Sequence, residues 1–176
     1  MSQPATTGKD LTPLLDRAKA HTLSYASAMA LSHQPSTTRA TCAAALASHY
    51  LPTHTAFVLG AVARMLPDPL PSDPIAAIAG MIETHLERFE KAGFGWKISM
   101  VESEMEVVPL SEGSAGCWVT WEIVTDEGVQ GGGWRWRNLY GYRWLEQEGK
   151  GGWEYSVSDN EIGEVMRRTG GKFMEL

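Results

Sequence analysis

The segment WRWRNLYGYRW, residues 134–144, carries the side chains of this chain that are best suited to bind a small molecule. Aromatic rings or an amide occupy every second position, and arginines occupy three of the positions between them. This alternation is typical of a β-strand, whose successive side chains point to opposite faces. The segment therefore predicts one aromatic face that carries Asn138 and Tyr140, with a largely basic face behind it.

Asn138 distinguishes this face from one that serves packing alone. Aromatic residues at alternate positions are common in well-packed sheets, so the rings by themselves do not indicate a binding site. A buried amide, however, costs free energy unless its hydrogen bonds are made. We therefore interpret the face as a pocket wall on which Asn138 and Tyr140 orient a carbonyl or hydroxyl group. The expected substrate-binding residues are Tyr25, Trp121, Trp134, Trp136 and Tyr142.

His85 is the best candidate for a proton-transferring group. It shares a helical stripe with Ile78, Ile82 and Phe89, which predicts that its imidazole enters the space between a helix and the sheet. Histidine changes its charge near neutral pH, so His85 could act as a general acid or base. The alternative is a core histidine that is hydrogen-bonded to the backbone. Two interpretations of Tyr25 also remain open: it is either a proton donor or a core residue whose hydroxyl group is hydrogen-bonded.

Other ionisable residues receive structural interpretations. His49 and His54 flank the end of a predicted helix, which places them either at the pocket mouth or on the surface, and we favour the surface interpretation. Ser158 and Glu161 have the spacing of a capping box, which predicts the start of a closing helix.

Composition excludes several classes of function. The chain has 15 Lys and Arg against 21 Asp and Glu, a net charge of −6 that disfavours nucleic-acid binding. Strand geometry also places the arginines and the rings of residues 134–144 on opposite faces, whereas a surface that binds single-stranded nucleic acid needs both on one face. We expect no membrane segment, no metal site and no cofactor, because none of their motifs is present. Two widely spaced cysteines fit a cytoplasmic protein.

The elements that must position these residues are predicted as helices in the first half of the chain and strands in the second half. Helical periodicity covers 11–29, 39–50 and 75–91, and Asp73 and Pro74 provide a start signal for the last of these. Strands are predicted at 96–108, 117–125, 134–145 and 153–157, joined by glycine-rich hairpin loops. The run TAFVLGAV at 55–62 fits either a strand or irregular structure. The order predicts an α+β fold with a largely antiparallel sheet, as one domain at 11–170 between a flexible N-terminus at 1–10 and a C-terminal tail at 171–176.

Three stretches resemble the nuclear transport factor 2-like superfamily, whose members include SnoaL-like, scytalone dehydratase-like and ketosteroid isomerase-like proteins. Residues 25–52 are similar to the first two helices of that family, and residues 73–89, DPIAAIAGMIETHLERF, are similar to its third. Residues 137–153, RNLYGYRWLEQEGKGGW, resemble its penultimate strand and the following turn. The resemblance implies a cone-shaped, curved antiparallel sheet packed on three N-terminal helices, with a cavity at the open end.

The resemblance also bears on function. NLYGY, residues 138–142, is similar to a strand of scytalone dehydratase whose asparagine faces the substrate, so Asn138 and its aromatic companions are expected to point inward. That enzyme's tyrosine–aspartate pair has no counterpart in LSHQPS, residues 31–36, and no histidine follows His85, so its dehydration machinery is not transferred.

Two functions are consistent with the sequence. The first is a cofactor-free isomerase, lyase or cyclase of secondary metabolism that acts on a hydrophobic or polycyclic molecule, with His85, Asn138 and Tyr140 as catalytic residues. The second is a non-catalytic domain that binds a small molecule or a protein partner. The resemblance further implies a homodimer formed through the outer face of the sheet.

Overall fold

Helices and strands follow the predicted order in the computed structural model, which describes residues 10–124 and 133–176. The helices are α1 Thr12–Ala30, α2 Arg39–Ala47, α3 Pro74–Lys91 and α4 Asp159–Arg168. The strands are β1 Tyr50–Val58, β2 Ala61–Arg64, β3 Ile98–Met100, β4 Glu106–Ser111, β5 Ser114–Ile123, β6 Trp134–Leu145 and β7 Lys150–Val157. Together they form a curved, unclosed sheet with helices packed on it, which confirms the predicted α+β class.

The sheet has the strand order β2-β1-β7-β6-β5-β3, and β4 pairs with β5 beyond β3 along the same edge. All of its pairings are antiparallel except that of β1 with β7. The chain crosses from β2 at one edge of the sheet to β3 at the other edge. It then returns through the neighbouring strands β5 and β6 to β7, which lies beside β1 and runs parallel to it. β6 is consequently a central strand, paired with β5 on one side and β7 on the other.

Several predicted boundaries were wrong. The strand predicted at 96–108 is broken by a 3₁₀ turn at Glu102–Glu104, which separates β3 from β4. Residues 55–62 belong to a hairpin, and Tyr50 begins its first strand rather than ending a helix. Asp73 caps α3 as predicted, since its Oδ1 accepts a hydrogen bond from Ala76 N at 2.9 Å. Residues 1–9 and 125–132 lie outside the described residues, so the flexible N-terminus and the glycine-rich hairpin loop predicted before 134 remain predictions.

The aromatic face of β6 points into the core. Residues 134, 136, 138, 140 and 142 are buried, whereas Arg135 and Arg137 are exposed, which confirms the predicted orientation of the face. The neighbouring strand contributes Cys117, Val119 and Trp121 to the same core, each directly opposite a buried residue of β6. The alternation ends at a bulge after Gly141, and beyond it Trp144 is only partly buried.

The outer face of the sheet is covered by ion pairs. Arg135 bonds Glu104 and Glu122, and Arg137 bonds Glu106. Arg143 pairs instead with Glu154 on β7. These groups are exposed, so each pair contributes ~0–1 kcal/mol at most.

The segment predicted as a C-terminal tail packs back on the core. Phe173 is fully buried and contacts Phe89 and His85 edge-on. Both cysteines are free and buried, and burial raises the pKa of each thiol to about 11. Across 10–124 and 133–176, no helix is long and apolar enough to cross a membrane.

Candidate functional site

A cavity of about 280 Å³ lies between the inner face of the sheet and helices α1, α3 and α4. Its apolar wall includes Met29, Met65, Met81, Ile82 and Leu86. Its polar groups include Tyr25, Tyr50, His54, His85, Arg88, Tyr140, Ser156, Ser158 and Glu161. A largely apolar space with a few polar groups is the usual composition of a small-molecule site, although its volume is near the lower end of the common range.

Glu161 is the centre of the polar groups. The first turn of α4 carries its carboxylate to the cavity, where the side chain is 12% exposed. His85 Nε2 lies 2.7 Å from Oε1, and Asn138 Nδ2 donates to Oε2 at 2.6 Å. Three elements, α3, β6 and α4, therefore meet at one carboxylate.

These contacts decide the charge of Glu161. Burial raises the pKa of its carboxyl group, but hydrogen bonds and charge from His85, with further donation from Asn138, outweigh burial and leave the pKa below its ordinary value of 4.5. Trp136 contributes in the same direction, although its indole N–H makes no hydrogen bond of ordinary geometry with the described residues. Glu161 is thus ionised at neutral pH.

Tyr140 is held next to this pair. Its hydroxyl oxygen accepts a hydrogen bond from Trp121 Nε1 at 3.1 Å and a longer one from Asn138 Nδ2 at 3.5 Å. Burial, reinforced by Tyr50 and Glu161, raises the pKa of the phenol far above its usual value. Tyr140 therefore stays protonated, and neither of its two bonds uses the O–H proton.

Tyr25 and Tyr50 form a second hydroxyl pair on the cavity wall, with their oxygens 2.7 Å apart. Burial raises the pKa of Tyr50 to about 12 and that of Tyr25 well above its ordinary value. One O–H must donate within the pair, so the other proton is available to a ligand or another acceptor.

The interpretation of His54 as a surface residue was wrong. Only 1% of this residue is exposed, and its two ring nitrogens lie 3.1 Å from Trp153 O and 3.1 Å from Ser156 Oγ. Burial lowers its pKa to about 4, so His54 is neutral at physiological pH. Its satisfied ring helps to form the cavity wall. His49, also predicted at the surface, is half-buried and bonds Ser24 Oγ at 3.0 Å.

Most of the predicted site residues come together. The cavity is lined by Tyr25, His85, Trp121, Trp136 and Tyr140.

The other three predicted residues lie elsewhere. Asn138 stands behind the lining, where it holds Glu161 and Tyr140. Trp134 and Tyr142 point inward but do not line the cavity. Trp134 packs against Phe89 and Phe94, while Tyr142 packs against aromatic residues near α1. The inward face of β6 therefore extends past the site at both ends.

Glu161 is the central residue of the candidate site, and the sequence interpretation missed it. Its spacing from Ser158 predicted a capping box, but the Ser158 side chain makes no capping hydrogen bond and the Glu161 carboxylate points away to His85. A signal was present, because Glu161 adjoins the buried positions Ile162 and Val165 of α4. Carboxylates are seldom buried without a partner, so a glutamate on the inner stripe indicates a polar contact inside.

Metal binding has no support in the described residues. Within 10–124 and 133–176, no three His, Cys, Asp or Glu side chains are grouped closely enough to hold a metal ion.

Replacing Glu161 with glutamine tests its ionisation. A group whose folded-state pKa is lowered contributes stability that is complete above its unfolded value, here about 4.5, and is lost as pH falls through the lower folded value. We expect the free energy of unfolding, measured in urea between pH 6 and pH 3, to fall less steeply in Glu161→Gln than in wild type. Glu102→Gln, outside the cavity, should follow wild type. Parallel curves for wild type and Glu161→Gln would show that the carboxylate is not specially stabilised.

The similarity of this chain to known proteins is detected in its structure and not in its sequence. No protein-family model matches the chain, and no curated protein matches its sequence. Solved structures do match, among them a ketosteroid isomerase-like protein from Erwinia carotovora atroseptica SCRI1043, with 16% identity over 81% of this chain and 92% of that one and a TM-score of 0.50.

Two further structures agree. An NTF-2 like protein of unknown function from Shewanella oneidensis MR-1 shares 8% identity over 81% of this chain and 95% of its own, with a TM-score of 0.52. A protein provisionally assigned as a scytalone dehydratase, from Novosphingobium aromaticivorans DSM 12444, shares 10% identity over 83% of each chain, with a TM-score of 0.51. With the curved sheet and its helices, these matches establish that the chain has the nuclear transport factor 2-like fold.

Proposed function

We propose that this protein is an enzyme that rearranges a small, hydrophobic molecule by general acid–base catalysis, as an isomerase, lyase or cyclase. The observation that carries the proposal is the His85–Glu161 pair at the cavity wall, with 2.7 Å between Nε2 and Oε1. A histidine oriented by a carboxylate is the usual arrangement of a general base. Structures named as ketosteroid isomerase-like and, provisionally, as a scytalone dehydratase share the fold.

The ionised state of Glu161 assigns the proton on His85. An ionised carboxylate can only accept hydrogen bonds, so Nε2 must carry the proton that lies between the two side chains. In neutral His85 the lone pair is then on Nδ1, which has no hydrogen-bond partner among the described residues. His85 is therefore the proposed base, and Glu161 stabilises the imidazolium that forms when Nδ1 takes a proton.

Tyr140 supplies the complementary acid. Trp121 and Asn138 donate to its oxygen, which leaves the phenolic O–H free to bond a substrate carbonyl as negative charge develops there. In an isomerase the proton on His85 would return to another carbon, and in a lyase it would leave with a hydroxide as water. The apolar wall and Trp136 would hold the hydrocarbon part of the substrate.

His85→Gln tests the base. Identification of the ligand comes first, by native mass spectrometry of protein purified without denaturation. Its conversion, or the exchange of its C–H protons in D₂O, should then slow by ~10²–10⁴-fold in the variant, because general-base catalysis typically contributes that factor. Ligand affinity should change little.

The matched control is His33→Gln, which replaces an exposed histidine outside the cavity and should behave as wild type. Wild-type turnover in His85→Gln would remove His85 from the mechanism. Tight binding of a ligand that neither variant nor wild type converts would favour a non-catalytic binding domain.

Tyr140→Phe tests the acid. The variant keeps the ring and loses the donor, so kcat should fall by ~10²–10³-fold, as for other single donors to a developing oxyanion. KM should stay nearly constant, because the bond strengthens in the transition state. Tyr155→Phe, which replaces a tyrosine outside the cavity, is the control. A rise in KM with unchanged kcat would reduce Tyr140 to a binding group.

We also propose a cytoplasmic homodimer formed through the outer face of the sheet. The free, buried cysteines support a reducing compartment, and the exposed Leu110 gives the face formed by β4–β6 an apolar element beside its ion pairs. Light scattering should give twice the chain mass of 19.3 kDa. A monomer at micromolar concentration would contradict the dimer.

A further inference from the structure

We propose that the molecule bound in the cavity carries an anionic group, a carboxylate, and that Arg88 is the residue that selects for it. The inference rests on the proposed function in one respect, namely that the cavity is the substrate site. It adds a substrate class, a hydrophobic acid, and a specificity-determining residue.

Arg88 is unusual among the arginines of the chain. It lines the cavity from α3, yet none of the described residues places a carboxylate within ion-pair distance of it, and its buried Nε has no hydrogen-bond partner. The acids beside it on α3 are engaged elsewhere, since Glu87 pairs with Lys91 and Glu90 pairs with Arg39. Ion pairs are made by Arg39, Arg135, Arg137, Arg143, Arg167 and Arg168.

The two remaining arginines differ from Arg88 in their surroundings. Arg17 stacks over the ring of Trp144 at 4.1 Å, and Arg64 is exposed on the edge strand β2. In the described part of the chain, Arg88 is the one arginine that lines the cavity beside Glu161, and it has no protein partner there.

Glu161 does not neutralise this cation. It is the one carboxylate among the described residues that line the cavity, and its two oxygens are occupied by His85 and Asn138. It makes no ion pair with Arg88. The cavity therefore has an acid–base pair at one place and an unmatched guanidinium at another.

A partly buried guanidinium without an acceptor is costly, and a ligand carboxylate removes that cost with charge-assisted bonds. The planar guanidinium can bind both carboxylate oxygens and so fixes the orientation of the ligand as well as its affinity. Arg88 follows His85 by three residues, or ~4.5 Å along the helix axis, so both face the same cavity one turn apart. The substrate class that fits is a hydrophobic acid whose reacting carbon lies a few bonds from its carboxylate.

Fluorescence titration with two matched probes tests the inference without any need for turnover. 1-Anilinonaphthalene-8-sulfonate and N-phenyl-1-naphthylamine share their rings and differ in one anionic group. We expect wild type to prefer the sulfonate, and Arg88→Gln to weaken binding of the sulfonate by about tenfold while binding of the neutral probe changes by less than about twofold. Arg88→Lys, which retains the charge without the planar fork, should lie between them.

Two control variants locate the effect. Arg167→Gln makes the same change in net charge on the surface of α4 and should leave both affinities unchanged. Ile82→Trp adds bulk to the cavity wall and should weaken both probes together. Decanoate and 1-decanol, measured by calorimetry, repeat the comparison with a flexible chain.

The outcomes separate this inference from the proposed function. No preference for the acid in either pair, or equal loss of both probes in Arg88→Gln, overturns the anion site. The same holds if Arg167→Gln weakens the sulfonate as strongly as Arg88→Gln does. If a neutral ligand is converted in a reaction that depends on His85 but not on Arg88, the proposed function stands and the anion site alone is overturned. If the protein is inactive but binds acids in a way that depends on Arg88, the anion site stands and the proposed function is overturned.

Discussion

The structure of the site depends on keeping the Glu161 carboxylate charged inside an apolar cavity. Burial alone would raise its pKa and neutralise it, and only donors from other elements reverse that tendency. Those donors come from His85 on α3 and Asn138 on β6, so the buried carboxylate is stabilised in its charged form by two elements packed in their native places. The proposed acid–base chemistry and the docking of the closing helix α4 thus rely on the same bonds.

The first turn of α4 also fixes one side of the cavity. Asp159 Oδ1 accepts a hydrogen bond from Leu59 N at 2.5 Å, at the turn of the β1–β2 hairpin. Leu59 has φ 49°, a conformation that branched side chains seldom adopt, so the turn is held by its surroundings rather than by local preference. The preceding residue Val58 lines the cavity. The first turn of α4 therefore holds Glu161 in the site and also holds the β1–β2 hairpin against the cavity.

What could be predicted from the sequence follows from the range of the interactions involved. The inward face of β6 was predictable because alternation is a local pattern and a one-residue slip would bury Arg135 and Arg137. Glu161 was not, because its partners lie 76 and 23 residues away and its own neighbourhood matches a capping box. The burial of His54 was not predictable for the same reason, since the backbone and hydroxyl groups that satisfy its ring are about 100 residues distant. Local patterns indicated that a pocket exists, but not which acid it contains.

Asn138 explains why the Glu161 carboxylate and the Tyr140 phenol are positioned together. The nitrogen of its amide must face Glu161, since an ionised carboxylate accepts and cannot donate, and the same nitrogen reaches Tyr140 Oη. Tyr140 follows two residues later on the same face of β6, so the strand itself sets the distance between the two groups. A shorter or apolar residue at 138 would leave both the carboxylate and the phenol without this donor. The amide therefore positions the proposed base and the proposed acid together, which accounts for a buried asparagine in the middle of an aromatic face.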